Sequence, residues 1–329
     1  MSKHPIPLLR DDAFPSTLTK FVDRLTDEEA CVEFLRSWKY QKQGFSCPRC
    51  GHDAAWFLRC RRLDECTACH KQVSLTAGTV MHGSRKPLRT WFLAMFLFVV
   101  SKQGISAMDL SRQLGLSYPT AWTWLHKLRT AISTRSKTML HGVVEADETW
   151  EGGLQEGRGG RPKVGEKKAL IAGAIEVYEK GWGRVRLASV MSGSAASLGA
   201  FLHENVAPGS VLRTDDWRSY RKPAAEAGYK HIPTNMSKSD RKAHEILPAM
   251  HRVFSLIHRV LLTTYQGAVS RKHLPHYLGE YEFRFNRRAS RSRGLLFQRL
   301  LSVAVNHPPP CYWEILGRQD GKTPLHAAA

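Results

Sequence analysis

His141-Gly-Val-Val-Glu-Ala-Asp147 (HGVVEAD) reads as a short strand that ends on a carboxylate, and the elements following it decide the fold. Residues 169–178 and 182–192 are apolar strand candidates joined by the turn Glu179-Lys180-Gly181, which predicts a hairpin. Ser194 is placed to cap a helix through His203. Residues 211–214 form a further predicted strand that ends at Asp215, and residues 217–227 are mostly helical, with Pro223 disturbing the start. A helical region covers about 248–288, broken near Pro275.

Strand, hairpin, helix, strand, helix and a long helical region is the order of an α/β domain of the ribonuclease-H-like class. Asp147 and Asp215 both end strands in it. Carboxylates on neighbouring strands can share a pair of divalent ions ~3.5–4 Å apart, which suits phosphodiester cleavage and transfer. Either residue alone would serve as well as a turn or cap residue, so the case rests on their joint placement. A third ligand would come from a later helix, where His251, Ser255 and His258 share one face. That stripe could equally be the solvated face of an amphipathic helix.

Upstream, Cys47-Pro-Arg-Cys50 and Cys66-Thr-Ala-Cys69 stand fifteen residues apart. Two such pairs predict a tetrahedral structural zinc site with no open coordination position. Before them, residues 18–38 read as one helix. After them, Pro87 opens a strongly apolar helix over 88–101. Residues 105–129 then read as a helix-turn-helix turning at Gly115, a plain helical hairpin being the alternative. Ala121, Trp122, Leu125 and Leu128 would face inward. Tyr118, Thr120, Thr123, Trp124, Lys127 and Arg129 would face a DNA groove and its phosphates.

The composition agrees with a polyanionic partner. The 329 residues carry 49 Lys+Arg against 29 Asp+Glu, a formal net charge of +20. Residues 152–168 form a Gly-rich basic stretch, and residues 284–293 hold five arginines, Arg287 and Arg288 among them, suited to DNA phosphate. The longest apolar run, residues 91–100, is half of the ~20 residues that a membrane-spanning helix needs. With no signal-peptide core at the N-terminus, a cytoplasmic protein is expected.

CPRCG (47–51), TAGTVMH (76–82), EADETWEGG (145–153), TDDWRSY (214–220), HRVFSLIHR (251–259) and SRKHLPHYLGEYEFRFNRR (270–288) resemble the bacterial insertion-sequence transposases of the DDE type. The similarity is to the zinc-ribbon-bearing insertion-sequence family 1595 and extends over residues 21–293. It implies a ribonuclease-H-like core that binds the terminal inverted repeats of a mobile element. Such a core uses Mg²⁺ or Mn²⁺ to cut DNA there and joins the freed 3′-hydroxyls to target DNA. By the same resemblance Asp147 and Asp215 are the first two acids of the triad. His251 stands at the third position, and His258 stands where a DNA-contacting Lys is usual. Glu245 is the reserve carboxylate, while Glu145, Glu148 and Asp216 would tune the site. A histidine ligand should favour Mn²⁺ over Mg²⁺ and lose its metal on protonation near pH ~6.5.

The expected organisation is an N-terminal helical segment (1–44), the zinc ribbon (45–80), the helix-turn-helix (86–132), the transposase core (138–295) and a C-terminal tail (296–329). A homodimer or higher assembly on nucleoid DNA is implied. The alternatives are a non-catalytic zinc-ribbon DNA-binding regulator and a degraded, inactive copy.

Overall fold

Thr17 starts the first helix, α1 (Leu18–Arg24), its hydroxyl accepting from Lys20 N at 3.2 Å. The single helix expected over 18–38 is two. Asp27 Oδ1 accepts from Ala30 N at 2.8 Å and begins α2 (Glu28–Tyr40), because a short side-chain acceptor satisfies a first-turn N–H. Three antiparallel strands follow in the order β1 (Ala55–Leu58), β2 (Leu63–Cys66), β3 (Gln72–Ser74). They are tied to α2 through the buried Asp64, which accepts from Arg36 Nε at 3.0 Å and from the Tyr40 hydroxyl at 2.8 Å.

This computed structural model describes residues 14–40, 44–133, 138–151, 169–235, 243–290 and 292–316. The basic stretch 152–168 therefore lies outside the described residues. The chain divides into one unit of Met1–Ile132 with Ser290–Ala329 and a second of Ser133–Ala289.

In the first unit, α3 (Leu88–Val100) is almost wholly apolar, and Glu28 receives its opening N–H groups, Leu88 N at 2.7 Å and Arg89 N at 2.9 Å. The region beyond 295, expected as a tail, instead carries the helix Arg293–Asn306. Its Phe297 is fully buried, with ring centroids 6.0 Å from Phe92, 6.3 Å from Phe21 and 6.4 Å from Phe96. Burial of an aromatic of this kind is worth about 1.5–3 kcal/mol, and Leu296, Leu300, Leu301, Ala304 and Val305 of the same helix are buried with it. The helix-turn-helix is α4 (Ala107–Leu114), a left-handed Gly115 (φ 59°), and α5 (Tyr118–Ser133).

The second unit is a five-stranded sheet with helices on both faces. Its strands are β4 (Val143–Glu151), β5 (Ala169–Val177) and β6 (Trp182–Val190), then β7 (Val211–Asp215) after α6 (Ala195–Asn205), and β8 (Lys230–Thr234) after α7 (Arg218–Glu226). The chain continues through one-turn α8 (Ala243–Ile246), α9 (Pro248–Thr263) and α10 (Leu274–Phe285). The spatial order is β6-β5-β4-β7-β8. The first three strands in sequence are antiparallel, and β7 and β8 run parallel to β4. This is the ribonuclease-H-like arrangement expected, with β8 as an element the sequence did not announce.

Period-two alternation sorts the side chains. Val144, Ala146, Ala172, Ala174 and Leu212 pack with α6 and α7, whereas Ile171, Ile175, Val185 and Leu187 pack with α9 and α10. Gly173 lets α9 sit close, since a Cβ there would lie 2.5 Å from Met250 Cε and 3.0 Å from Phe254 Cε1. At the outer edge, α10 covers β6. Glu282 Oε1 accepts from Leu187 N at 2.6 Å, and Asn286 accepts from Val185 N at 2.7 Å and donates to Val185 O at 3.0 Å.

One buried acid makes the stability of this unit depend on pH. Burial alone would raise the pKa of Glu176, but the Arg184 side chain, Arg184 N and the Tyr178 hydroxyl bring it down to about 2. The ordinary value is 4.5, so the carboxylate stabilises the fold fully above that pH and progressively less from there toward 2. The shift corresponds to about 3 kcal/mol. Urea unfolding at pH 6 and pH 3 is expected to show this loss in the parent, and Glu176→Gln is expected to be less stable at pH 6 with a smaller acid-dependent decrease.

Candidate functional site

The odd-numbered residues of β4 point to α9. Glu145 Oε2 accepts from Ala249 N at 2.9 Å and Met250 N at 3.1 Å. Two residues on, Asp147 Oδ2 lies 3.5 Å from His251 Nε2. Further along, Thr149 Oγ1 and Glu151 Oε2 lie 3.4 and 3.6 Å from the two ring nitrogens of His258. On the neighbouring parallel strand Arg213 shares this face, its Nη1 being 3.5 Å from Glu145 Oε1. Glu145 and Arg213 are register partners. Asp147 and Asp215 each come two residues later, on the face toward α9. Asp215 ends β7, whereas Asp147 lies in the middle of β4, which runs on to Glu151, so the strand expected to end at Asp147 continues past it.

On the α7 side of the sheet a buried tyrosine lies near both aspartates and Glu148. The Tyr220 hydroxyl donates to Glu148 Oε2 at 2.8 Å. Burial first, then the charges of Glu148, Asp147 and Asp215, hold its pKa well above the usual tyrosine value, so it remains a donor. Asp147 Oδ1 accepts from Glu148 N at 2.8 Å, and Asp215 Oδ1 from Trp217 N at 3.3 Å, which fixes both carboxylates locally. The donor set of two carboxylates and an imidazole suits divalent ions such as Mg²⁺ or Mn²⁺. Among the described residues Asp147, Asp215 and His251 are not gathered around one point as the four cysteines are. Glu245, the reserve acid, is exposed on α8.

His258 differs from the DNA-contacting charge expected there. Both of its ring nitrogens are directed to β4, and burial lowers its pKa, so the imidazole is neutral at pH 7. Arg287 and Arg288 also have internal work. The Arg287 guanidinium lies 4.2 Å over the Phe283 ring and donates to Phe283 O. The Arg288 guanidinium lies 4.0 Å over Phe285 and donates to Gly183 O and Trp182 O.

In α5, Tyr118 is exposed, and Thr120, Thr123 and Lys127 are partly so. Trp124 and Arg129 correct the sequence reading. Trp124 is buried and stacks on Trp91 at 3.7 Å and 16°, and Arg129 is only 1% exposed, so neither is presented to a groove. Trp122 is the half-exposed tryptophan instead.

The four cysteines meet as their spacing predicts. Cys47 and Cys69 sulfurs are 3.6 Å apart, as are those of Cys50 and Cys66, and all four lie within 4.8 Å of one another. A tetrahedron with Zn–S bonds of about 2.3 Å has an edge near 3.8 Å, so the set fits a structural zinc ion. Each pair sits in a matching turn. Cys47 N donates to His52 O and Cys66 N to Lys71 O, with Gly51 and His70 in left-handed conformation (φ 74° and 55°). Among the described residues this is the one group of three or more such ligands gathered so closely. No helix among the described residues is long and apolar enough to cross a membrane.

Comparison with known proteins adds two matches. Residues 139–286 match the ISXO2-like transposase domain, and residues 26–72 match the transposase zinc-ribbon domain. Among solved structures, a pre-cleavage Mos1 transpososome aligns at 13% identity over 65% of this chain and 78% of that chain, with a TM-score of 0.26. A Mos1 transposase paired-end complex with left transposon end aligns at 12% identity over 66% and 79%, with a TM-score of 0.25. No curated protein matches.

Proposed function

The chain belongs to the insertion-sequence family 1595 of transposases, and from that membership we propose that it cuts DNA at the ends of its element and joins the freed strands to target DNA. The observation that supports this reading is that Glu145 and Arg213 are register partners on the parallel strands β4 and β7, each two residues before an aspartate, with His251 of α9 3.5 Å from Asp147. These three side chains would hold Mg²⁺ or Mn²⁺. Bound there, two such ions would activate the attacking oxygen and stabilise the leaving one at a phosphodiester.

The protein's own groups do the rest. Asp147 and Asp215 supply the negative charge that holds cations against phosphate. His251 contributes a neutral nitrogen, a softer donor than a third carboxylate, which favours Mn²⁺. Tyr118, Thr120, Thr123 and Lys127 on α5 are available to the element's terminal repeats, and pairing of two ends calls for at least a homodimer on DNA. The core 138–295 would carry the chemistry, and the segments before it, 1–44, 45–80 and 86–132, would recognise DNA.

The test is an in vitro joining assay with duplex element ends and a supercoiled target, run in Mg²⁺ and in Mn²⁺ between pH ~6 and ~8, where a histidine ligand titrates. Joined product is expected, more of it in Mn²⁺, falling toward the acid end. Ends that are bound but never cut in either metal would leave a DNA-binding regulator in place of a recombinase.

A further inference from the structure

Glu145 is 0% exposed, two residues before Asp147, and both of its oxygens are directed to elements that carry the other site residues. Oε2 receives the N–H groups of Ala249 and Met250, in the first turn of α9 and immediately before His251. Oε1 lies 3.5 Å from Arg213 Nη1, on β7 and two residues before Asp215. One side chain thus bridges all three elements. A carboxylate is suited to this task, because it accepts on two sides at once and its charge favours both a helix N-terminus and a guanidinium.

We propose that Glu145 is the positioning residue of the metal site, fixing Asp147, Asp215 and His251 relative to one another by clamping α9 and β7 onto β4. The proposal rests on the site reading given above. Without the clamp the first turn of α9 has two N–H groups to satisfy elsewhere, and His251 is the side chain that moves with it. Loss of such outer support commonly weakens a metal site by about 10–100-fold.

The experiment is a titration of the zinc-loaded, full-length protein with Mn²⁺ alone, unbound Mn²⁺ being followed by electron paramagnetic resonance. Asp147→Ala sets the baseline and is expected to lose the specific binding. If it binds as the parent does, the site reading itself fails. Glu145→Gln is expected to weaken binding about tenfold. His251→Ala should weaken it too, and Glu145→Gln in that background should add less than about twofold, because coupled residues are not additive. Mn²⁺ binding by Glu145→Gln equal to the parent, with Asp147→Ala inactive in binding, overturns the clamp and leaves the site. An equal penalty in both backgrounds overturns it as well. Where Glu145→Gln does not fold, Arg213→Met at its 39%-exposed position takes its place. Weaker Mn²⁺ binding supports the clamp, and unchanged binding overturns it.

Discussion

Asp147→Ala and Asp215→Ala are each expected to lower strand cutting and joining by at least about 10³-fold, since several kcal/mol of transition-state charge stabilisation is lost with each carboxylate. The fold should survive. Asp147 is 7% exposed, and its charge, with those of Glu148 and Asp215, acts on the buried Tyr220, so removing one of these like charges does not cost the fold a favourable partner there. Thermal unfolding is therefore expected at an unchanged or higher temperature. Binding to duplex ends through α5 should persist in a gel-shift assay. A variant that still joins strands in Mn²⁺ would remove these aspartates from the chemistry. One that loses end binding as well would point to misfolding, which the melting curve would show.

The second large effect belongs to the cysteines. The three ribbon strands are only four, four and three residues long, too short to hold together by burial. Cys66 is fully buried, and its sulfur lies 3.6 Å from that of Cys50. Cys66→Ser, or a strong chelator, is expected to release the zinc and with it a folding contribution on the order of 10 kcal/mol. Zinc content should fall to none, and the amides of β1–β3 should lose hydrogen-exchange protection. A Cys66→Ser protein that retains one zinc ion and protected strands would refute the four-cysteine site.

Both predictions draw on residues that were legible in the sequence, and for a physical reason. Asp147 and Asp215 were legible through their joint placement on two predicted strands, and two Cys-x-x-Cys pairs are a local pattern whose chemistry does not depend on what lies across the fold. The misread residues depend on such partners. Trp122 and Trp124 are two residues apart on a helix, so they lie on nearly opposite sides, and either could face inward. The position of Trp91 decides it, and Trp91 lies 33 residues away. Strand β8 is a short, largely exposed edge containing Pro233, which weakens any strand signal. The helix Arg293–Asn306 follows an arginine-rich run that reads as a boundary, although its Leu296, Leu300, Leu301 and Ala304 repeat at helical spacing. Glu145 was read only as tuning the site. The available signal was that Glu145 and Arg213 each stand two residues before an aspartate, a pairing that acquires meaning once the strands are known to be parallel and in register.

Glu282 and Asn286 of α10 occupy hydrogen-bonding groups of Val185 and Leu187 that another β-strand would need. Self-association by lateral annealing, the usual hazard of a bare sheet margin, is thereby blocked on that flank by side chains belonging to the same molecule. A second copy of this chain would therefore not add to the sheet by strand pairing at Val185 and Leu187.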